Sequence, residues 1–241
     1  MAEQEDSEAF LNDSEAFREA DTKVAMIAET VMPKTNLEGD KKLSESFKTG
    51  TAASHEAAEN VHFVRNFIQG EIDRTLFAEL TVQLYHVYDR MEACLESLDA
   101  LSEFHEKLLR KQALQDDLDF WHGEVKALQI REGAGISPAA RDYVERLQFC
   151  RDTDPLLLLS HAYTRYLGDL SGGKVLARVA RRALNLKGYE GLAFYEFADI
   201  ESAKKFKDNY RKALDSLDLS EVQIQKLVTE ANVAFLLNMR V

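Results

Sequence analysis

The sequence predicts an all-α, single-domain protein, and three observations lead there. Apolar residues recur at the helical period from Leu43 onward. The Val/Ile/Thr alternation that marks strands is almost absent. The only three prolines, at 33, 138 and 155, leave the middle of the chain without a Pro-rich or Gly/Ser-rich linker. At 241 residues, one such domain is long enough to bury a core around a cofactor.

Residues 1–42 read as an acidic, polar and flexible arm with a seven-residue echo, Asp6-Ser-Glu-Ala-Phe10 and Asp13-Ser-Glu-Ala-Phe17. Two copies are too few for a repeat architecture, and the arm lacks the positive start and apolar stretch of a secretory signal. The folded domain is expected over 43–241. Its helices are expected at 43–68, 74–97, 101–121, 138–151, 155–187, 200–217 and 220–241, with a short helical turn near 192–196. Ser137-Pro138 and Asp154-Pro155 each put a capping residue before proline at a first helical position, and Ser220-Glu-Val-Gln223 has capping-box spacing. Gly70, Gly123, Gly133 and Gly135 fall in the expected connections, as breakers should.

A net charge of −12 argues against a nucleic-acid partner and leaves any positive site as a local patch. Cys94 and Cys150 lie far apart with no C-x-x-C spacing, so neither a disulfide framework nor a zinc site is implied. No run of eighteen apolar residues exists, so no membrane span is expected and the chain reads as soluble.

The segment His161-Ala-Tyr-Thr-Arg-Tyr-Leu-Gly-Asp-Leu-Ser-Gly-Gly-Lys174 sets Gly168, Gly172 and Gly173 inside one long helical pattern. Each glycine there costs about 0.8–1 kcal/mol relative to alanine. Three of them ask for a kink, a close helix contact or a flat ligand against bare backbone. Taken alone, helical glycines more often mark close packing, but Tyr163, Arg165 and Asp169 add polar groups on the same turns. Of six histidines, His55 stands apart because Glu59 follows four residues later on the same helix face, where it can hold the imidazole of a metal ligand. On spacing alone, a surface His/Glu pair is the favoured reading. His62, His86, His105, His122 and His161 read as structural.

Tyr163 to Gly173 resembles the signature of the heme oxygenases. Phe47-Lys-Thr-Gly-Thr-Ala-Ala-Ser-His55-Glu-Ala-Ala-Glu59 resembles that family's proximal-histidine helix, Lys204-Lys-Phe-Lys207-Asp-Asn-Tyr-Arg211 its basic helix and Ala234-Phe-Leu-Leu-Asn238 its last core helix. The segments occur in family order over about 43–241. The resemblance implies a multihelical fold with heme b between a proximal and a kinked distal helix. It makes His55 the axial ligand of the heme iron with Glu59 behind it, and Phe235 a neighbour of the ligand. Lys48, Lys207 and Arg211, with the Tyr163 hydroxyl, would meet the propionates. Gly168, Gly172 and Gly173 would let the distal helix approach the porphyrin. Asp169 would order water that supplies protons, supported by Tyr88, Arg165 and Asn238. Two departures stand out: Lys174 where many relatives carry glutamine, and Gly50 in a helix interior.

The activity implied is oxidative cleavage of heme to biliverdin, carbon monoxide and ferrous iron with O2 and an external electron donor. Ala193-Phe-Tyr-Glu-Phe197 and Glu230-Ala-Asn-Val-Ala-Phe235 resemble the soluble cyanobacterial and plastid branch. That branch implies ferredoxin as donor, with a flavoprotein reductase as the alternative, and a monomer in plastid stroma or cytoplasm. A non-catalytic heme or bilin carrier would be expected to lose His55, Asp169 or the glycines. A cofactor-free interaction protein would leave the glycine cost unexplained.

Overall fold

The computed structural model describes residues 42–241, so all of the acidic arm except Lys42 lies outside the described residues. Eleven α-helices follow in order among the described residues, with no strand. They are α1 (Leu43–Gly50), α2 (Ala52–Glu59), α3 (His62–Gln69), α4 (Arg74–Leu95), α5 (Ser102–His105), α6 (Lys111–His122), α7 (Glu124–Arg131), α8 (Pro138–Thr153), α9 (Leu158–Ala183), α10 (Ala203–Asp215) and α11 (Glu221–Arg240). Short 3-10 turns occupy Glu106–Leu108, Pro155–Leu157 and Ala193–Tyr195.

Two of the three start signals operate as read, while Asp154 makes no side-chain cap bond and Pro155 opens a 3-10 turn ahead of α9. Ser137 accepts from the Ala140 amide with Pro138 at the first position, and Ser220 and Gln223 form a capping box. Asp73 caps α4 by accepting from the Thr75 and Leu76 amides. Helix α4 runs through the core with Phe77, Val82, Val87, Tyr88 and Met91 buried, and packs on α6 and α8. Helix α9 lies against α11, and α11 in turn carries α1 and α2.

Three expectations are corrected. The helix expected over 43–68 is three short ones. Thr51 turns its hydroxyl onto the Phe47 carbonyl and Asn60 its amide onto the Glu56 carbonyl, and these local bonds compete with the helical ladder. The helix expected over 101–121 is divided because the Glu92 carboxylate, from α4, accepts the amides of Arg110 and Lys111 and starts α6 there. Helix α7 was not expected at all. Gly123, read as a breaker, turns the chain at φ +75° and a new helix begins at the next residue.

Gly50 has a packing reason. A Cβ there would stand 2.3 Å from Val228 Cγ1, so α1 approaches α11 closer than alanine permits. Beside it the Ser54 hydroxyl donates to Asn232, and Asn232 donates to the Gly50 carbonyl at 3.0 Å. Ser44 donates through both its amide and its hydroxyl to Asp215, tying α1 to α10.

Candidate functional site

Helix α9 stays helical from Leu158 to Ala183, through all three glycines. Gly168 and Gly172, one turn apart, have open space where a side chain would begin. Gly173 differs: it is buried, and a Cβ would lie 3.3 Å from the Tyr195 ring. The first two leave bare backbone available to a flat ligand, while the third admits a neighbouring aromatic.

At the start of the open stretch, four expected residues meet. The Tyr88 hydroxyl, from α4, donates to the Asp169 carboxylate. Arg165 donates through Nε to that hydroxyl at 3.0 Å and through Nη1 to Asn238 Oδ1 of α11 at 2.7 Å. Its guanidinium also lies over the Tyr88 ring. Burial pushes the Asp169 carboxyl above the ordinary carboxylate range, opposed by the Arg165 charge and the Tyr88 hydrogen bond. Burial likewise holds Tyr88 protonated, well above an ordinary phenol. The result is a proton-bearing network whose carboxylate is half-buried beside the open glycine backbone.

Two of the three cationic residues, Lys207 and Arg211, lie one turn apart on α10. Lys207 of α10 reaches α9 by donating to Ser171 Oγ at 2.7 Å. Burial, and then the Arg211 charge, lower its ammonium pKa. The Arg211 charge acts on the Tyr163 phenol, drawing its pKa back down against burial, and the Tyr163 ring stacks on Phe47 at 4.5 Å. Lys48 is exposed on the last turn of α1.

His55 is exposed on α2, with 59% of its side chain accessible. Its Nδ1 lies 3.6 Å from Glu59, too long for a hydrogen bond but close enough to orient the ring. Its edge meets Phe235 at 5.8 Å between centroids. An exposed imidazole leaning on an aromatic from α11 suits a ligand to an iron outside the protein's own packing.

The other histidines with described side chains take internal partners. His86 meets the Ala134 carbonyl, His122 the Ala78 carbonyl and His105 the Tyr210 hydroxyl. His161 is fully buried between Glu230 Oε1 at 2.8 Å and the Tyr143 hydroxyl at 3.3 Å. Cys150, His161 and Glu230 lie within 4.8 Å of one another, yet Arg146 already occupies both Glu230 oxygens. Burial alone would push the Glu230 carboxyl up, but the Arg146 and His161 hydrogen bonds more than reverse this and hold it down at about 2. This is an ion-pair lock among α8, α9 and α11, whose guanidinium is a poor neighbour for a metal cation.

Sequence reading missed the residues behind the network. Asp117 of α6 accepts the amides of Ala193 and Phe194, and Arg110 donates to the carbonyls of Phe194 and Glu196. Phe194 stands edge-on to Tyr88 at 5.2 Å. The one available signal was a carboxylate at Asp117 beside Leu114 and Leu118, on the apolar stripe of α6.

Residues 41–241 match the family model described as Heme oxygenase. The chain is 43% identical over 206 residues to a heme oxygenase of Rhodella violacea, covering 84% of this chain and 86% of that one. It is 44% identical over 204 residues to human heme oxygenase 1, covering 82% and 69%. Among solved structures, heme oxygenase-1 of Synechocystis in complex with heme aligns with a TM-score of 0.76 at 41% identity, covering 83% of this chain and 90% of that one.

Proposed function

From the premise that this chain belongs to the heme oxygenase family, we propose that it cleaves heme to biliverdin, carbon monoxide and ferrous iron, using O2 and electrons from a partner protein. The observation that carries the reading is the Asp169–Tyr88–Arg165–Asn238 network set beside the bare backbone of Gly168 and Gly172. The donor set fits the ligand. Heme is a flat apolar disc with two carboxylates at one edge. This chain offers open backbone for the disc, cations at one rim and an exposed imidazole for the iron.

Bound heme supplies the iron at which O2 is reduced and the ring that is oxidised, so substrate and cofactor are one molecule. The protein's residues do the rest. His55 would hold the iron, with Glu59 close enough to orient its ring. Lys207, Arg211, Lys48 and Tyr163 would hold the propionates. Phe235 covers the apolar surface beside His55. Gly168 and Gly172 would admit the disc, and the close backbone would exclude bulky ligands. Asp169 would act on water rather than on the iron. Held by Tyr88, with Arg165 anchored on Asn238, it orders the water that delivers protons where the oxygen is activated.

The donor reading rests on surface charge. Lys174, Arg178 and Arg182, four residues apart, are exposed on α9, and Lys204, Lys205 and Lys212 are exposed on α10, the helix whose Lys207 reaches Ser171 of α9. A basic face on a chain of net charge −12 favours an acidic donor, for which ferredoxin is the candidate ahead of a flavoprotein reductase. Among the described residues no helix is long and apolar enough to cross a membrane. A monomer working in plastid stroma or cytoplasm is the matching setting.

Hemin addition tests the function. A Soret band that forms, then disappears with donor and oxygen as biliverdin accumulates, is the expected result. A stable band under turnover conditions would indicate a carrier.

A further inference from the structure

We propose that Asp117 and Arg110 are positioning residues for the distal network: together they clamp the Ala193–Tyr195 turn against α9 and α4, and so set where Tyr88 holds Asp169. The clamp grips the turn from both sides of its backbone. Asp117 Oδ1 accepts the Ala193 amide at 2.7 Å and Oδ2 the Phe194 amide at 2.8 Å. Arg110 donates to the Phe194 and Glu196 carbonyls and lies 3.9 Å over the Phe197 ring. One turn after Asp117, Trp121 donates to the Gly191 carbonyl at 2.9 Å, and a Cβ on Gly191 would overlap Phe120 and Trp121. Five backbone groups of this loop are therefore spoken for by two buried charged side chains and the indole of α6.

What the loop presses on makes the clamp relevant to the site. Tyr195 fills the space that Gly173 leaves on α9, five residues from Gly168. Phe194 meets the ring of Tyr88 edge-on, behind the hydroxyl that holds Asp169. Arg110 also adds its positive charge to the field at Asp169. It is itself seated by Glu92, which accepts the Arg110 amide and the Tyr166 hydroxyl. Packed interiors transmit displacement with little loss, so a turn released from Asp117 moves the ring that aims the Tyr88 hydroxyl. Misplacement near 1 Å at a proton-delivery network costs about a hundredfold in rate, and loss of one supporting bond about tenfold.

The activity arm of this proposal rests on the heme oxygenase reading; the structural arm does not. The full chain is prepared with 13C-labelled tyrosine as wild type, Asp117→Asn and the milder Trp121→Phe. The asparagine keeps the size of Asp117 but can accept at only one of two atoms. In the hemin-free protein, Asp117→Asn is expected to shift the Tyr88 and Tyr195 ring signals at a temperature well below its melting point, with Trp121→Phe shifting them less in the same direction. With hemin, Asp117→Asn is expected to bind within about twofold of wild type while biliverdin formation falls about tenfold. Unmoved Tyr88 signals in both variants, or a rate that falls only as hemin affinity falls, would overturn the proposal. Should Asp117→Asn not fold, the Trp121→Phe signals decide it. A wild type that leaves hemin intact removes the activity reading, and the Tyr88 signal still decides the positioning.

Discussion

Tyr88 on α4 and Asp169 on α9, eighty-one residues apart, share one hydrogen bond, and Arg165 donates to the same phenol. The phenol thus passes a donor toward the carboxylate while accepting from a cation, which fixes the direction of the network. Asp169→Ala is expected to bind hemin within about threefold of wild type and to lose about a hundredfold or more in biliverdin formation. Tyr88→Phe should lie between the two. Titration of the Soret band and product yield by absorbance check both. Near-normal turnover in Asp169→Ala would remove the distal network from the mechanism.

His55→Ala is expected to keep its fold, because the exposed ring supports little packing. Hemin should still enter between the remaining walls, yet turnover should be lost and then recovered with added imidazole. Unchanged activity without imidazole would mean that another residue ligates iron.

The Lys207/Arg211 pair is expected to act on affinity and orientation together. Charge-assisted hydrogen bonds contribute about 1.5–3 kcal/mol each before solvent screening, and both groups are partly exposed. Lys207→Glu with Arg211→Glu should weaken hemin binding at least about tenfold and change the biliverdin isomer ratio. Chromatography of the product checks the second effect.

The three glycines of α9 should separate on substitution. Alanine at 168 or 172 meets open space, so the hemin-free protein should gain about 0.8–1 kcal/mol of stability from helix propensity while hemin turnover suffers. Alanine at 173 meets Tyr195 at 3.3 Å and should gain less or lose stability. Thermal melts of the hemin-free variants distinguish the positions.

Stability against pH should carry two limbs of opposite sign. The Glu230 carboxyl is held at about 2 against an ordinary 4.5, so its contribution is complete above 4.5 and is lost as pH falls toward 2. By linkage it is worth on the order of 3 kcal/mol. Burial holds the Asp117 carboxyl up at about 7 against 3.8, so the folded state takes its proton first and stability rises as pH falls from 7 toward 4. Denaturant midpoints across pH 2–8 should show Glu230→Gln flattening the lower limb and Asp117→Asn the upper one.

Much of the site was legible because it is encoded locally. Gly168, Asp169 and Gly172 sit within five residues on one helix, and the His55/Glu59 spacing is a single turn. Asn238 and Tyr88 came only from resemblance, since nothing in their own segments points to Arg165 or Asp169. The breaks at Thr51 and Asn60 escaped because a side chain bonding its own backbone leaves the apolar period intact. Glu92, Arg110 and Asp117 escaped for a different reason. Each satisfies backbone groups of a distant segment, and a backbone amide has no letter in the sequence.

The close seat of Gly50 on Val228 has a consequence for the order of assembly. The segment that bears His55 is fastened to α11 through Gly50, Ser54 and Asn232, about 180 residues downstream. On a ribosome the early segment is made first and waits for its support, so this contact closes only after α11 has emerged. Nascent chains stopped short of Val228 would display the histidine without the surface that holds it. On the proposed role of His55, heme capture is thereby deferred until α11 has been made.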